Sequence, residues 1–181
     1  GVWRADLLDL KAKLEKLPFI KSASVTRVLP GAVRVQVTER RPQAIVNRSG
    51  HEYLVDAEGE ILSQVDGKEE SLPFAMTGWD EAKTERAWKD NIERVKTYQK
   101  MLAEWRTANV LSKVEAVNLT DLREPRAIIE DSGNRVAISV GRENFGENLM
   151  RGVKAIVGKG EIFEAVNLIG NNMVLAPRKQ N

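Results

Sequence analysis

Residue types that commonly carry out catalysis are sparse in this sequence. His51 is its single histidine, and it contains no cysteine, which excludes disulfide bonds, thiolate zinc sites and cysteine nucleophiles. A lone imidazole needs three carboxylates gathered around it to build a zinc site, and no Gly-x-Ser-x-Gly elbow supplies a serine for it to activate. We therefore interpret His51, which follows Gly50, as a surface side chain in a loop, and we expect neither a metal ion nor a cofactor.

Two pairs of carboxylates are the remaining candidates for acid–base chemistry, Asp56 with Glu58 and Glu69 with Glu70. Such chemistry needs one carboxyl in an apolar pocket that raises its pKa, whereas Asp56 and Glu58 lie in a predicted hairpin loop where water would keep both ionised. The Gly-Lys-Gly run at 158–160 follows a predicted helix, so it is typical of a helix end and not of a phosphate-binding loop. The sequence therefore predicts a non-enzymatic protein that works by surface recognition.

The composition predicts a folded, soluble chain with nearly balanced charge. Its 181 residues are 42% hydrophobic and 30% charged, with 28 basic and 26 acidic residues, which is typical of globular domains. The basic residues alternate with acidic ones, a pattern that disfavours nucleic-acid binding. No apolar run is long enough to span a membrane, and no signal peptide opens the sequence. Because the chain starts at Gly1 without an initiator methionine, we expect that an anchor or targeting segment could have preceded it.

The N-terminal part of the sequence predicts a helix followed by a β-hairpin. Asp6 is the predicted N-cap and Pro18 the predicted stop of a helix, whose apolar face recurs at steps of three and four residues: Leu7, Leu10, Leu14 and Leu17. A strand is predicted at 20–28 and a turn at Pro30-Gly31. Strict apolar–polar alternation then predicts a half-buried strand at 33–37.

A longer unit of strands and two helices follows Pro42, where we place the domain boundary. The first helix carries an apolar stripe from Trp88 to Trp105, and the second begins at a capping box formed by Asn144 and Glu147. We expect the four tryptophans to pack in the core. Strands are predicted at 44–47, 53–55, 61–62, 72–77, 114–119, 126–130, 136–140, 165–169 and 173–175. This order of segregated helices and hairpins predicts an α+β chain of two modules.

Three motifs carry a specific resemblance. Residues 14–30 read LEKLPFIKSASVTRVLP, residues 33–42 read VRVQVTERRP and end in Glu-Arg-x-Pro, and residues 53–61 read YLVDAEGEI with a Leu-Val-Asp-x-x-Gly hairpin. In this order and spacing they resemble the POTRA domain, and the start of the following β domain, in the FtsQ/DivIB family of bacterial cell-division proteins. The later sequence is similar in layout, with Val-Asn-Leu at 166–168 where the family often has Val-Asp-Leu.

The resemblance implies an α+β fold in two parts. Residues 1–42 would form a partial POTRA domain, a helix plus a β-hairpin, whose first strand and helix are missing here. Residues 43–176 would form an FtsQ-type β domain, mainly antiparallel with two helices, and residues 177–181 a polar tail. Family members have a short cytoplasmic tail and one membrane helix before these domains. The resemblance therefore implies a single-pass protein of the cytoplasmic membrane with this segment on the periplasmic side.

The resemblance also implies a function. Such proteins are scaffolds that bind FtsB- and FtsL-type partners and link early division proteins, reached through the POTRA domain, to septal peptidoglycan synthesis. In this family a partner segment adds a strand to the last strand of the β domain, an exposed edge. The side chains that make partner contacts in the family do not transfer, because Ile169 and Gly170 stand where Arg and Tyr are found there.

The predicted partner site is the terminal strand, which we interpret as one edge strand with a kink or bulge at Asn171-Asn172. Arg126 and Arg135 are predicted to pair with acidic partner residues. The residues assigned to the strand are Ala165, Val166, Asn167, Leu168, Ile169, Gly170, Asn171, Asn172, Met173, Val174 and Leu175. An interior or covered strand is the competing interpretation of this segment.

Two other functions stay open at this point. A POTRA-type chaperone or transport module would bind unfolded outer-membrane polypeptides, but such proteins carry tandem POTRA repeats, and the sequence shows no repeat. A cell-wall enzyme would need a pocket with convergent polar groups.

Overall fold

The architecture is that of a computed structural model, which describes residues 6–67 and 71–179. Trp3 and the carboxylate pair Glu69–Glu70 lie outside the described residues. Within these ranges no helix combines the length and apolarity that crossing a bilayer requires.

The N-terminal module is a helix followed by a two-stranded antiparallel sheet, as predicted. Its elements are α1 (Leu7–Glu15), β1 (Ile20–Val28) and β2 (Ala32–Glu39). Asp6 caps α1 as expected, since its carboxylate accepts the N–H groups of Leu8 and Asp9 at 3.0 and 3.1 Å. No residue of α1 is buried, and among the described residues of this module only Ala23 is a buried hydrophobic side chain. The prediction that β2 is half-buried was wrong, since Val35 and Val37 are 45% and 44% exposed; α1 packs mainly against β1 and leaves these valines uncovered. The module therefore has almost no core of its own.

The second module is built on one nine-stranded mixed sheet. Its strands lie in the order β11-β10-β9-β8-β7-β6-β3-β4-β5. The pairs β9–β10, β3–β6 and β6–β7 are parallel, and the other neighbours are antiparallel. The strands are β3 (Ala44–Arg48), β4 (His51–Val55), β5 (Ile61–Gln64), β6 (Ala75–Thr77), β7 (Val114–Asn118), β8 (Arg126–Asp131), β9 (Asn134–Ser139), β10 (Phe163–Ile169) and β11 (Asn172–Pro177). The predicted α+β class, mainly antiparallel, is confirmed.

Two helices, α2 (Glu85–Thr107) and α3 (Phe145–Ile156), contribute the core side chains that pack against this sheet. A short 3-10 turn at Leu111–Lys113 precedes β7. Tyr98 of α2 is fully buried, and its hydroxyl donates to Phe74 O at 2.6 Å; burial raises the pKa of this phenol well above its ordinary value. Gly152 lets α3 approach β9, because a Cβ there would lie 2.2 Å from Ile138 Cγ2. Close helix–sheet contact thus depends on a small residue on the buried face.

The tryptophans occupy different environments. Trp105 is buried as predicted, and its Nε1 donates to Phe145 O at 3.0 Å, while Trp79 packs at the edge of the core. Trp88 is 51% exposed, so its assignment to the core was wrong. It lies in the first turn of α2, where the hydrogen-bond partner of its indole is Glu58 O in the β4–β5 loop, at 3.2 Å.

The β4–β5 loop joins the two modules. Asp56, only 2% exposed, accepts hydrogen bonds from Arg40 Nη1 at 2.6 Å and from the N–H groups of Glu58 and Glu60 at 3.0 and 2.8 Å. Lys21 of β1 pairs with Glu58 at 2.8 Å. Burial alone would raise the pKa of the Asp56 carboxyl, but these hydrogen bonds, with Arg40 foremost, lower it below its ordinary value. The expectation that water keeps Asp56 ionised was therefore wrong, because the hydrogen bonds from Arg40, Glu58 and Glu60 keep it ionised.

The N-terminus of α3 is capped from another helix. Asn144 has a left-handed backbone with φ 56° and makes no side-chain cap, so the predicted capping box with Glu147 was wrong, because such a box requires extended backbone at the N-cap. Glu104 of α2 accepts the N–H of Gly146 at 2.9 Å instead.

Replacing Glu104 with alanine should lower the free energy of unfolding by about 1 kcal/mol, the usual effect of losing a helix cap. Urea denaturation measures this change. Glu147→Ala is the matched control and should have a smaller effect, since Glu147 does not cap the helix. Equal losses in the two variants would contradict the assignment of Glu104 as the cap.

Candidate partner-binding edge

The predicted partner site is a β-hairpin and not one kinked strand. Residues 165–169 belong to β10, which lies between β9 and β11, and residues 172–175 belong to β11. Gly170 and Asn171 form the two-residue turn between them. Gly170 has φ 58°, a value that glycine adopts without strain at the first position of a hairpin turn. The predicted kink at Asn171-Asn172 was therefore wrong, and β10 is an interior strand.

The outer edge of the hairpin is β11. The residues that flank a two-residue turn form a hydrogen-bonded pair, and here these residues are Ile169 and Asn172. Bonding then alternates, so Val174 and Ala176 face β10. The N–H and C=O groups of Met173 and Leu175 point away from the sheet, and no described strand pairs with them.

The side chains of β11 separate into two faces. Met173 and Leu175 are partly buried and pack against the core, on the same side as Val166, which is fully buried. Val174 lies on the opposite face and is 43% exposed. An added strand would thus extend a surface that is apolar on one side and open to solvent on the other.

The other end of the sheet is β5, a strand of four residues. Short edge strands resist pairing with further strands. Val65 N–H donates to Glu52 O at 2.9 Å, so by the same alternation the N–H of Gln64 points outward. The six-residue β11 is therefore the better edge for strand addition.

The two predicted arginines lie on neighbouring strands but are already engaged. Arg126, at the start of β8, donates through Nη2 to Asn167 Oδ1 at 2.9 Å and forms an ion pair with Glu124. Arg135 of β9 pairs with Glu115 at 3.0 Å, although its side chain is 79% exposed. Arg135 is thus open to a second acidic partner, whereas Arg126 mainly supports Asn167 on β10.

The predicted polar tail at 177–181 contains a residue that sequence reasoning missed. Pro177 ends β11, and Arg178 donates to the carbonyl groups of Arg135, Gly160 and Phe163. No local pattern marks Arg178, because these acceptors lie 15 to 43 positions away in the chain.

The described residues assemble neither a metal site nor a catalytic pair. His51 is exposed at the first position of β4, in a strand and not in the expected loop, and no group of three or more His, Asp or Glu side chains in the described ranges could hold a metal ion. A cleft of about 770 Å³ near α3 is lined by Lys100, Arg142 and Glu143. The amide of Asn148 at its base is engaged by Val140 O and Glu143 O. The cleft offers surface charges and not a nucleophile beside a base.

The sequence matches two family profiles, one described as "POTRA domain, FtsQ-type" over residues 1–40 and one described as "Cell division protein FtsQ/DivIB, C-terminal" over residues 44–169. The fold is thus a POTRA-type module followed by the C-terminal domain of a cell-division protein. The chain belongs to the FtsQ/DivIB family. The second match ends at Ile169, before β11 begins.

Several relatives are each named "Cell division protein FtsQ". The one from Koribacter versatilis (strain Ellin345) is 27% identical over 155 residues, covering 81% of this chain and 42% of the relative. The one from Geobacter sp. (strain M21) is 26% identical over 149 residues, covering 82% and 54%. The one from Anaeromyxobacter sp. (strain K) is 42% identical over 84 residues, covering 43% and 28%. The chain thus spans about half or less of the length of these relatives.

Proposed function

We propose that this chain is the extracytoplasmic part of a division scaffold that binds FtsB/FtsL-type proteins by accepting a partner strand on β11. The family membership of residues 44–169 supports the cell-division role. In this proposal one membrane helix preceding the chain anchors it in the cytoplasmic membrane. The POTRA-type module contacts other division proteins, and the scaffold links them to septal peptidoglycan synthesis without catalysing a reaction.

The observation that carries the proposal is the unpaired edge of β11. Met173 and Leu175 present N–H and C=O groups that no described strand satisfies, and an extended segment of another protein can complete this ladder. Because the bonds are made by the main chain, binding does not require the Arg and Tyr side chains that family members carry where Ile169 and Gly170 stand. The exposed guanidinium of Arg135 favours an acidic residue in the partner.

The test is a calorimetric titration with a synthetic peptide from the C-terminal segment of the FtsB-type protein of the source organism. We expect saturable one-to-one binding, and amide hydrogen exchange should slow at Met173 and Leu175, whose N–H groups become bonded. A peptide of the same sequence with alternate backbone nitrogens methylated is the control, because it cannot form the ladder.

Each failure has a distinct meaning. Absence of binding by the unmodified peptide would refute strand addition by this partner. Binding with new protection at other amides would keep the partner and refute the site. Equal affinity of the methylated peptide would show that side chains, not the main-chain ladder, hold the complex.

A further inference from the structure

Strand addition requires β11 to stay flat and in register before its partner arrives, although it is paired on one side only. An edge strand of this kind opens more easily than the strands inside a sheet. Its ladder with β10 is also interrupted, because the register shifts between Phe163 and Ala165 opposite the end of β11. The C-terminal end of β11 therefore needs a contact beyond the ladder itself.

Arg178 makes this contact. Its backbone N–H donates to Ile162 O at 2.7 Å. Its Nη2 donates to Gly160 O at 2.9 Å, Arg135 O at 3.1 Å and, more weakly, Phe163 O at 3.4 Å. One side chain thus ties the end of β11 to β9, to the start of β10 and to the α3–β10 loop. Its Nε is buried without a partner among the described residues, so the contacts depend on Nη2.

The loop that receives Arg178 is itself held in place. The carboxylate of Asp131, at the end of β8, accepts the N–H groups of Gly158, Lys159 and Gly160 at 3.0, 2.9 and 2.8 Å. These hydrogen bonds, first of all that from Gly158, lower the pKa of the Asp131 carboxyl below its ordinary value. A Cβ on Gly160 would lie 2.2 Å from Asp131 O, so the loop sits directly against β8. Arg178 is therefore anchored through Gly160 to an interior hairpin of the sheet.

The other end of β11 is held in a similar way. Arg151 of α3 donates through Nη2 to Asn171 O in the hairpin turn. Both ends of the strand are thus fixed by arginine side chains to carbonyl groups, while the outward N–H groups of Met173 and Leu175 between them stay open. A strand held in its bound conformation loses less conformational entropy when a partner binds.

We propose that Arg178 is a positioning residue that keeps β11 in register as an open edge ready to accept a partner strand. The proposal rests on strand addition at β11 for its functional meaning. Its structural part, the control of β11 by Arg178, can be tested without any partner.

The experiment compares Arg178→Gln and Arg178→Lys with the unmodified protein by amide hydrogen exchange. In Arg178→Gln we expect exchange at least about tenfold faster at Val174 and Ala176, the two amides bonded to β10 that lie nearest the C-terminal end of β11, with little change in β8 and β9. A role in global stability alone would raise exchange across the whole sheet in proportion. Arg178→Lys should restore part of the protection, because its ammonium group can donate to the same carbonyls.

The matched control is Arg135→Gln, which removes an exposed arginine side chain from the same region but leaves the carbonyl group that Arg178 uses. It should leave exchange in β11 unchanged. Unchanged exchange at Val174 and Ala176 in Arg178→Gln, or uniform acceleration over the sheet, would overturn the proposal.

Arg178→Gln and Arg178→Lys are then titrated with the FtsB-type peptide. Arg178→Gln should bind about fivefold to tenfold more weakly, and Arg178→Lys should bind with intermediate affinity. Unaltered affinity in a variant with faster β11 exchange would overturn the positioning role. If the unmodified protein does not bind the peptide, the proposed function fails, and the exchange data still decide whether Arg178 holds β11.

Discussion

Replacing Leu175 with proline should weaken binding of the FtsB-type peptide at least about thirtyfold while the sheet stays folded. Proline removes the outward N–H of Leu175 and leaves a carbonyl group of the partner strand without a donor, which costs about 1–3 kcal/mol, and its ring blocks close approach of the added strand. The ladder with β10 does not use this N–H, because bonding on that side falls on Val174 and Ala176. Calorimetric titration measures the affinity, and circular dichroism checks the fold.

Two control variants isolate the lost N–H. Leu175→Ala loses the same partly buried side chain but keeps the donor, so it should retain most of the affinity. Gln64→Pro places proline at an outward position on β5, the opposite edge of the sheet, and should not affect binding. If Leu175→Ala weakens binding as much as Leu175→Pro, the side chain and not the ladder carries the interaction. If Gln64→Pro is the damaging variant, the partner strand adds at β5.

Replacing Asp56 with alanine should lower the free energy of unfolding by about 3 kcal/mol, the typical effect of removing one partner of a buried ion pair. The carboxylate is 2% exposed, and its loss leaves Arg40 and the N–H groups of Glu58 and Glu60 without their acceptor. The β4–β5 loop also contacts the N-terminal module through Arg40. Arg40→Met should therefore loosen the attachment of this module to the second one, because the module makes few buried contacts of its own. Urea denaturation measures the first effect, and proteolysis between the modules measures the second.

The pH dependence gives an independent check. The hydrogen bonds lower the folded-state pKa of Asp56 below the ordinary value of 3.8, so its contribution is complete above that value and is lost as the pH falls through the folded-state pKa. Stability of the unmodified protein should therefore decline more steeply below about pH 4 than that of Asp56→Asn. Glu58→Ala breaks the pair with Lys21, in which both side chains are 47% exposed, and should cost less than about 1 kcal/mol. A Glu58→Ala loss as large as that of Asp56→Ala would contradict the central role of Asp56.

Elements with a clear periodicity were predictable from the sequence. The leucines of α1, the alternating valines of β2 and the apolar stripe of α2 each repeat at the spacing of the element they form. The Asp6 cap was also a local property, and it is confirmed. The terminal hairpin had a local signal as well, a two-residue Gly-Asn turn between apolar runs. It was missed because glycine permits a bulge as readily as a reversal.

The features missed entirely depend on residues distant in the chain. Nothing near Asp56 indicates burial, because its partner Arg40 lies 16 positions away, outside its own hairpin. Glu104 and Gly146 meet only because α2 and α3 pack together, 42 positions apart. The sequence shows that Arg126 is charged, but only the fold shows that it already donates a hydrogen bond to Asn167 and forms an ion pair with Glu124.

The placement of Pro177 limits how long a partner can remain bound. The open ladder extends only from Met173 to Leu175 before proline ends it, so two residues with two groups each offer four main-chain hydrogen bonds. At about 1 kcal/mol net for each bond, they contribute roughly 4 kcal/mol, which alone corresponds to a millimolar dissociation constant. Side-chain contacts must supply the remaining affinity, and the complex should exchange quickly.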